Sequence, residues 1–314
     1  MRRFYLFLIV VSILNAKSPI SKEKEEILSK SFYYIDYSCT LNITQVINKK
    51  FKPINKDTLG LGYSPPLNLW IKVEITNSSN DTITKILEYE NALTSSIEFF
   101  SANPIMPLKW DGLLVGGIKD TIYPYLELTF EPQETKIIYI KAHSDITTLI
   151  AKLNLLNKDV FLKKEQKRQF ILAFFLGALT LIIIYNFIFY IFTRYIRYLY
   201  YVLFFVTITL HNILYQGVAK LFIPANILQK ILEFVPLIVA LPVLFLVLFT
   251  QSVLELPKYY PRLNKILNIA TIIFIIVTII VYIFNMHTLR SIFVIIYLSI
   301  AFSIVVYSFF KKKW

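Results

Sequence analysis

The sequence is poor in the residues on which disulfide-linked, metal-binding and catalytic proteins depend. Cys39 is the single cysteine among 314 residues, so no disulfide can form within the chain. None of the three histidines has a second histidine, a cysteine or a carboxylate cluster at the spacing of a metal site. The sequence also lacks a G-x-S-x-G motif, a glycine-rich phosphate loop and a kinase signature. We therefore expect a protein that is not itself an enzyme and that holds no metal or cofactor.

Charge is scarce in the second half of the chain, where the composition is that of a membrane protein. The whole sequence is 56% hydrophobic with a mean hydropathy of +0.58, which is unusually apolar for a soluble domain. Residues 169–314 hold 11 lysines and arginines and 2 glutamates, and the positive charges lie in short loops between apolar runs. Such loops determine membrane topology rather than form a nucleic-acid surface, so we expect no nucleic-acid partner.

The first 16 residues are typical of an export signal. Arg2 and Arg3 supply positive charge, residues 4–14 form an apolar core, and Asn15-Ala16 is a partial match to a small-residue cleavage site. We predict a signal peptide over residues 1–16, with an uncleaved membrane anchor as the alternative. In both cases the segment that follows is placed outside the cytoplasm.

Residues 17–157 have the pattern of an all-β domain. Between Leu69 and Ile75, apolar residues alternate with more polar ones, which predicts a strand with one apolar face. Further short runs of this kind follow, separated by turns rich in Asn, Pro and Gly. We predict a jelly-roll-like β sandwich outside the cytoplasm. Residues 158–169 are interpreted as a juxtamembrane linker between this domain and the membrane part.

Five uncharged runs that follow the linker are each about long enough to cross a bilayer as a helix. They cover residues 170–193, 198–219, 234–254, 266–289 and 291–310. With the β domain outside, the inner loops and chain end carry eight lysines and arginines and the outer loops carry three, as the positive-inside rule requires. We predict a multi-pass membrane protein, with an α-helical transmembrane bundle of about five helices and a cytoplasmic end at residues 311–314.

Three polar residues within or beside the apolar runs are candidate functional groups. Asn186, His211 and Gln216 are not expected to face lipid, because an unpaired polar group in hydrocarbon is costly. One interpretation is that they form hydrogen bonds between helices. The other is that they form a polar switch that repacks between two states of the bundle.

Aromatic residues of the β domain provide a candidate ligand site. Trp110, Tyr123 and Tyr125 lie in or near predicted strands and turns, and together they could form a shelf for a sugar ring. Aromatic residues in such positions more often serve for packing. Both interpretations are left open here.

The first two apolar runs resemble the start of the membrane part of a known receptor family. The matching features are Gly177, Tyr185-Asn186, the run from Tyr198 to Tyr201, and Gln216-Gly217. They resemble the bacterial seven-transmembrane receptors with diverse intracellular signalling modules. The stretches 249–267 and 61–79 are similar to a later junction and to the second type of extracellular domain of that family. The resemblance implies a jelly-roll domain that binds a carbohydrate-like ligand and a cytoplasmic output such as a histidine kinase or a diguanylate cyclase.

The chain departs from this family pattern in three respects. It has five predicted crossings where the family has seven, and it contains no recognisable output domain. It also has no arginine between Ile118 and Pro124, where family members often carry one. We therefore expect either a fragment of a longer receptor or a shortened receptor that signals through a separate effector.

Our leading hypothesis, which follows from the resemblance, is a transmembrane receptor of the bacterial inner membrane whose β domain is a periplasmic sensor domain for an extracytoplasmic ligand. The expected partners are the lipid bilayer, a small ligand of carbohydrate type and a cytoplasmic signalling effector, and association as a homodimer is left open. The alternative is a polytopic transporter or channel with an outer accessory binding domain. That function would need charged residues at mid-depth in the membrane, and the five apolar runs contain none.

Overall fold

The computed structural model describes residues 24–102, 107–145, 147–284 and 287–311. An all-β domain is followed by helices, which confirms the predicted fold class. The predicted signal peptide, residues 1–16, lies outside the described residues, as do residues 312–314 of the predicted cytoplasmic end.

The β domain contains two antiparallel sheets packed face to face and an additional pair of strands. One sheet has the strand order β1-β12-β6-β9, the other has the order β3-β2-β5-β10-β7-β8, and β4 pairs with β11. The strands are β1 Lys24–Glu26, β2 Phe32–Asp36, β3 Lys52–Pro53, β4 Leu59–Tyr63, β5 Asn68–Thr76, β6 Ile83–Tyr89, β7 Ser96–Ser101, β8 Lys109–Asp111, β9 Tyr125–Phe130, β10 Thr135–His143, β11 Thr148–Ala151 and β12 Leu153–Asn157.

The core of the sandwich forms where the predicted alternation places it. The apolar residues at every second position from Leu69 to Ile75 are buried against residues of the facing sheet such as Leu87. Trp70 points to the opposite face of β5 and is also buried, because it packs on Phe100 and on the short helix α1, Ile43–Val46. Both faces of β5 are therefore covered in its first half, Asn68–Ile71, whereas Glu74 and Thr76 at its end are exposed.

The helical part begins without a break from the last strand. Residues 158–169, predicted as a linker, and residues 170–193, predicted as the first crossing, form one helix of 36 residues. The helices are α2 Lys158–Thr193, α3 Ile196–Tyr215, α4 Ala225–Glu233, α5 Val235–Val253, α6 Leu256–Tyr259, α7 Pro261–Phe284 and α8 His287–Lys311. Helix α2 therefore extends from the β domain through the whole length of the first predicted crossing.

Three of these helices, α2, α3 and α7, are long and apolar enough to cross a membrane. Helix α4 and residues 237–253 of α5 would form a fourth crossing if the 56° bend between them belongs to one broken span. The part of α8 between Ile292 and Ser308 is apolar but shorter. The predicted total of five crossings stays a prediction.

The predicted end of the second crossing does not coincide with the end of a helix. The second crossing was expected over residues 198–219, but α3 ends at Tyr215 and a single 3-10 turn, Val218–Leu221, follows. The physical reason is Gly217, whose φ of 69° is a left-handed conformation that ends a right-handed helix. The chain then turns toward the β domain instead of continuing into another helical turn.

Candidate functional site: the interface between the β domain and the helices

Two segments that are not regular strands or long helices meet at the boundary of the β domain. We name residues 112–124, between β8 and β9, the β8–β9 loop. We name residues 216–234, between α3 and α5, the connecting segment. The backbone N–H of Lys119 donates to the carbonyl oxygen of Lys220 at 2.9 Å, and the N–H of Ala225 donates to that of Gly116 at 3.1 Å. The loop and the segment are thus hydrogen-bonded directly to each other.

Apolar side chains join the same two segments into small cores. Leu113 of the β8–β9 loop is buried in a cluster with Leu214 of α3 and with residues of the connecting segment, Ala219, Leu228 and Leu232. A second cluster combines Ala92 and Ile122 of the β domain with Leu172 of α2 and Val218 of the connecting segment. The β domain, α2 and the connecting segment therefore share buried surface, and displacement of one exposes apolar area on the others.

Gly217 of the connecting segment lies close against Ala92 of the β domain. A Cβ atom added to it would lie 2.6 Å from the Cβ of Ala92, which is well inside van der Waals contact. Its positive φ is a further reason why only glycine fits this position without strain. The tight contact depends on the missing side chain.

The start of α2 is packed onto the β domain. Phe161 is buried against Ile86 and Leu156, and its ring centroid is 4.9 Å from that of Tyr125. This contact fixes the first turn of a helix that continues into the predicted membrane span.

Charged residues of α2 bind two carboxylates at the end of β6. Lys164 Nζ lies 2.5 Å from an oxygen of Glu88, which is completely buried, and 3.3 Å from an oxygen of Glu90. Arg168 lies 3.6 Å from Glu88 on the next turn. Burial by itself would raise the pKa of Glu90, but the charge of Lys164 and a hydrogen bond from Asn154 lower this pKa to about 2. Glu90 therefore stays ionised and paired at ordinary pH.

Glu165 connects α2 to the β8–β9 loop. Its buried carboxylate accepts hydrogen bonds from the backbone N–H of Ile122 at 3.0 Å and from Gln169 at 2.8 Å, and it pairs with Arg168. Gln169 also donates to the carbonyl oxygen of Asp120 at 2.9 Å. The loop is thus held by α2 on one side and by the connecting segment on the other.

Lys220 is a buried cation in this interface. It is 2% exposed, and its Nζ atom has no hydrogen-bond partner within the part of the chain that the structure describes. Burial lowers the pKa of Lys220 to about 8, and the charge of Asp111 opposes this shift only in part.

The three aromatic residues proposed as a ligand shelf have different contacts in the structure. Tyr123 lies beneath the guanidinium of Arg168, 4.0 Å from the ring centroid, and Tyr125 packs on Phe161 of α2. Trp110 is on β8 in the other sheet, where it is 59% exposed and donates to Ser96 at 2.8 Å. The two tyrosines thus contact α2, and Trp110 alone presents an exposed ring.

A cleft of about 630 Å³ opens elsewhere on the β domain, between β9 and β10. None of Trp110, Tyr123 and Tyr125 lines it. Its polar lining includes two carboxylates, an ammonium group and two hydroxyls, from Glu127, Thr129, Glu134, Thr135 and Lys136. These groups can form hydrogen bonds with the hydroxyl groups of a small polar ligand.

The proposed polar switch residues are separated in the structure. The side-chain amide of Asn186 donates to the carbonyl oxygen of Ile182, one turn earlier in α2, and His211 stacks on Tyr215 in α3. Since α2 and α3 are joined by a two-residue turn and run in opposite directions, Asn186 and His211 differ in depth by roughly 12 Å at 1.5 Å per residue. Gln216 ends α3 beside the interface described above.

Asn186 instead lines a cleft of about 720 Å³ between α2, α3 and α5. Arg197 and Tyr201 lie on its α3 side, and Phe249 lies on its α5 side. The cleft is at the end of the helices that is remote from the β domain.

A further polar cluster, which was not predicted from the sequence, lies inside the helical part. The amide nitrogen of Gln251, which is buried, donates to Asn264 at 3.1 Å and to Asn268 at 2.8 Å. These bonds join the end of α5 to the start of α7. The signal was available, because Asn264 and Asn268 are four residues apart and so lie on one face of a helix.

Among the residues that the structure describes, no group of three or more His, Cys, Asp and Glu side chains is placed to hold a metal ion. The described architecture is instead that of a membrane protein in which a β sandwich is docked on helices through a shared core.

Comparison with known families identifies the two parts. A family model described as 7TMR-DISM extracellular 2 matches residues 29–157, and one described as 7TM diverse intracellular signalling matches residues 168–314. The chain belongs to this family of seven-transmembrane receptors with diverse intracellular signalling, which confirms the resemblance seen in the sequence. The family is one of transmembrane signalling receptors. No curated protein matches the chain.

Proposed function

We propose that the protein is a receptor of the bacterial inner membrane whose β domain lies in the periplasm. It senses a small extracytoplasmic ligand and relays this to a cytoplasmic effector, such as a histidine kinase or a diguanylate cyclase, through its helices. The protein itself has no catalytic role in this scheme.

The observation that supports this proposal is the interface of the β8–β9 loop with α2 and the connecting segment. On one side of the loop the backbone N–H of Ile122 donates to the carboxylate of Glu165, and on the other the backbone N–H of Lys119 donates to the backbone carbonyl of Lys220. A ligand that moves the loop must therefore break or rearrange bonds to both α2 and the connecting segment. Helix α2 is itself a predicted membrane span, and the connecting segment joins α3 to α5. The movement is therefore passed to these helices.

The relay requires two packings of the interface, one docked and one undocked. A ligand shifts the balance between them only if it binds one packing more tightly than the other. To move the equilibrium from 1:99 to 99:1, the ligand must prefer one state about 10⁴-fold. Because the β8–β9 loop is hydrogen-bonded directly to α2 and to the connecting segment, a ligand that contacts the loop can bind the docked and undocked states with different affinity.

For the ligand we propose a small polar molecule of carbohydrate type, as the family resemblance implies. The cleft between β9 and β10 offers carboxylate, ammonium and hydroxyl groups, and Trp110 offers an exposed aromatic ring. Strand β9 follows directly on the β8–β9 loop, so occupancy of the cleft is expected to affect the position of the loop.

The proposed topology can be tested with the native cysteine. Cys39 is the single cysteine in the sequence and is exposed on the β domain. We expect a membrane-impermeant maleimide to label it in cells whose outer membrane has been permeabilised while the inner membrane is intact. Mass spectrometry or a gel shift of the purified protein measures the labelling.

The matched control carries Cys39→Ser together with Lys258→Cys, which places the thiol on an exposed residue in a predicted inner loop. This variant should be labelled only after cell lysis. Labelling of Cys39 only after lysis, or of the Lys258→Cys variant in intact cells, would contradict the proposed orientation.

A further inference from the structure

The side chain of Lys220 is buried in the interface, and the proposed relay uses only the backbone of this residue. It is enclosed by the β domain and the helices, and its Nζ atom has no hydrogen-bond partner among the described residues. No carboxylate of the described residues lies within 4 Å of it, since Lys220 forms none of the ion pairs found there. An ammonium group in such a place is costly, because it loses water without gaining a partner.

The surrounding charges do not compensate for this cost. The charged groups that face Lys220 are Asp111 and Lys119 from the β domain and Glu165 and Arg168 from α2. Asp111 is already paired with Lys119 at 3.2 Å, and Glu165 is already paired with Arg168. Both acidic groups are therefore committed to other cations, and two of the four facing groups repel the ammonium.

We propose that loss of the proton from Lys220 strengthens the docking of the β8–β9 loop on the connecting segment, so that the protein responds to extracytoplasmic alkalinity. Docking is favoured because a neutral amine is cheaper to bury than an ammonium group. The use of this response in signalling rests on the function proposed above. The response of docking to pH does not.

The direction of the effect follows from proton linkage. Burial lowers the pKa of Lys220 to about 8 in the docked state from 10.5, its ordinary value in an exposed lysine. The undocked state therefore binds more protons between these two pH values, and docking becomes more favourable as the pH rises through this window. From pH 8 to pH 10 the ratio of docked to undocked protein should rise roughly 40-fold. Below pH 8 both states are mainly protonated, and Lys220 adds little pH dependence.

The experiment measures docking in the full chain in lipid nanodiscs. Spin labels are attached at Ile118→Cys and Phe222→Cys, which are exposed positions in the β8–β9 loop and the connecting segment, in a Cys39→Ser background. Gly217→Ala is added because its Cβ would meet Ala92, so that docked and undocked populations are both measurable. Pulsed electron paramagnetic resonance between pH 7 and pH 10 gives the two populations from the distance distribution.

We expect the docked fraction to rise with pH in this protein and to become independent of pH when Lys220→Met is added. The Lys220→Met variant should also be more docked than its parent at pH 8, since methionine has a similar length and no charge. Lys109→Met is the matched control. Burial also lowers the pKa of Lys109, but its ammonium lies over Tyr125 within the β domain, so the pH response should persist.

The proposal is overturned if Lys220→Met keeps the pH response, if it undocks the loop at pH 8, or if docking of the parent weakens as the pH rises. These outcomes concern docking alone. A failure of the relay to the far end of the helices would leave them unchanged, so the two proposals fail in distinguishable ways.

Discussion

Replacing Gly217 with leucine is expected to undock the β8–β9 loop from the connecting segment. The new Cβ would lie 2.6 Å from the Cβ of Ala92 and 3.1 Å from its carbonyl oxygen, so the two segments cannot keep their present separation. The left-handed backbone at this position costs a non-glycine residue about 1–2 kcal/mol, and overpacking costs about 1–3 kcal/mol more. Together these effects would reduce the docked population by a factor of at least about 30, at 1.4 kcal/mol per tenfold.

The Ile118 and Phe222 label pair measures this change directly. A narrow distance distribution in the parent protein should become longer and broader in the Gly217→Leu variant. Gly177→Leu is the matched control, because Gly177 lies in α2 with open space around the position of its missing Cβ. Equal distance distributions for the two leucine variants would show that the contact with Ala92 does not hold the segments together.

Replacing Glu165 with alanine is expected to release the β8–β9 loop from α2. The buried N–H of Ile122 would lose its acceptor, which costs about 1–3 kcal/mol, and Arg168 would lose its nearest carboxylate. Glu165→Gln should have a smaller effect, since its amide oxygen can still accept the bond from Ile122. Glu165→Gln removes the ion pair with Arg168 but keeps the hydrogen bond from Ile122. Comparison of the two variants therefore separates the contribution of the ion pair from that of the hydrogen bond.

Hydrogen exchange of the peptide that contains Ile122 reports on this bond. We expect its protection to fall roughly 5- to 150-fold in Glu165→Ala, the range that corresponds to about 1–3 kcal/mol. Gln166→Ala changes the next residue of the same helix, which is exposed, and should leave the protection unchanged. Slow exchange in Glu165→Ala, as in the Gln166→Ala control, would contradict the role of Glu165 at the interface.

The fold class could be predicted from the sequence because it depends on local patterns. The alternation from Leu69 to Ile75 sets one face of β5 toward the core whatever the rest of the chain does. A long uncharged run such as residues 170–193 likewise predicts a helix from its own composition. Trp70 was harder to place, because its burial depends on α1 and Phe100, which lie elsewhere in the sequence.

The interface could not be predicted, because its contacts join residues that are distant in the chain. Ala92 and Gly217 are 125 positions apart, and neither sequence neighbourhood indicates that they touch. Lys220 illustrates the difficulty. In the sequence it is one of the loop charges that set membrane topology, whereas in the structure it is almost completely buried. The end of α3 at Tyr215 was missed because Gly217 lies in an otherwise uncharged run.

For the candidate site residues, too, local features could be predicted and long-range contacts could not. Tyr123 and Tyr125 were correctly seen as aromatic residues near strands, but the residues they contact, Arg168 and Phe161, belong to the predicted linker. Their role in ligand binding stays a prediction. The contacts found for them join the β domain to α2, which is consistent with a role in the relay.

The proposed relay passes the docking state of the β domain to the opposite end of the helices. The most direct test places spin labels at Arg194→Cys and Lys258→Cys, exposed positions in the α2–α3 turn and in α6, in the Cys39→Ser background. We expect Gly217→Leu to change the distance distribution of this pair and Gly177→Leu to leave it unchanged. An unchanged distribution in Gly217→Leu, in protein whose Ile118 and Phe222 labels have separated, would contradict the proposed relay.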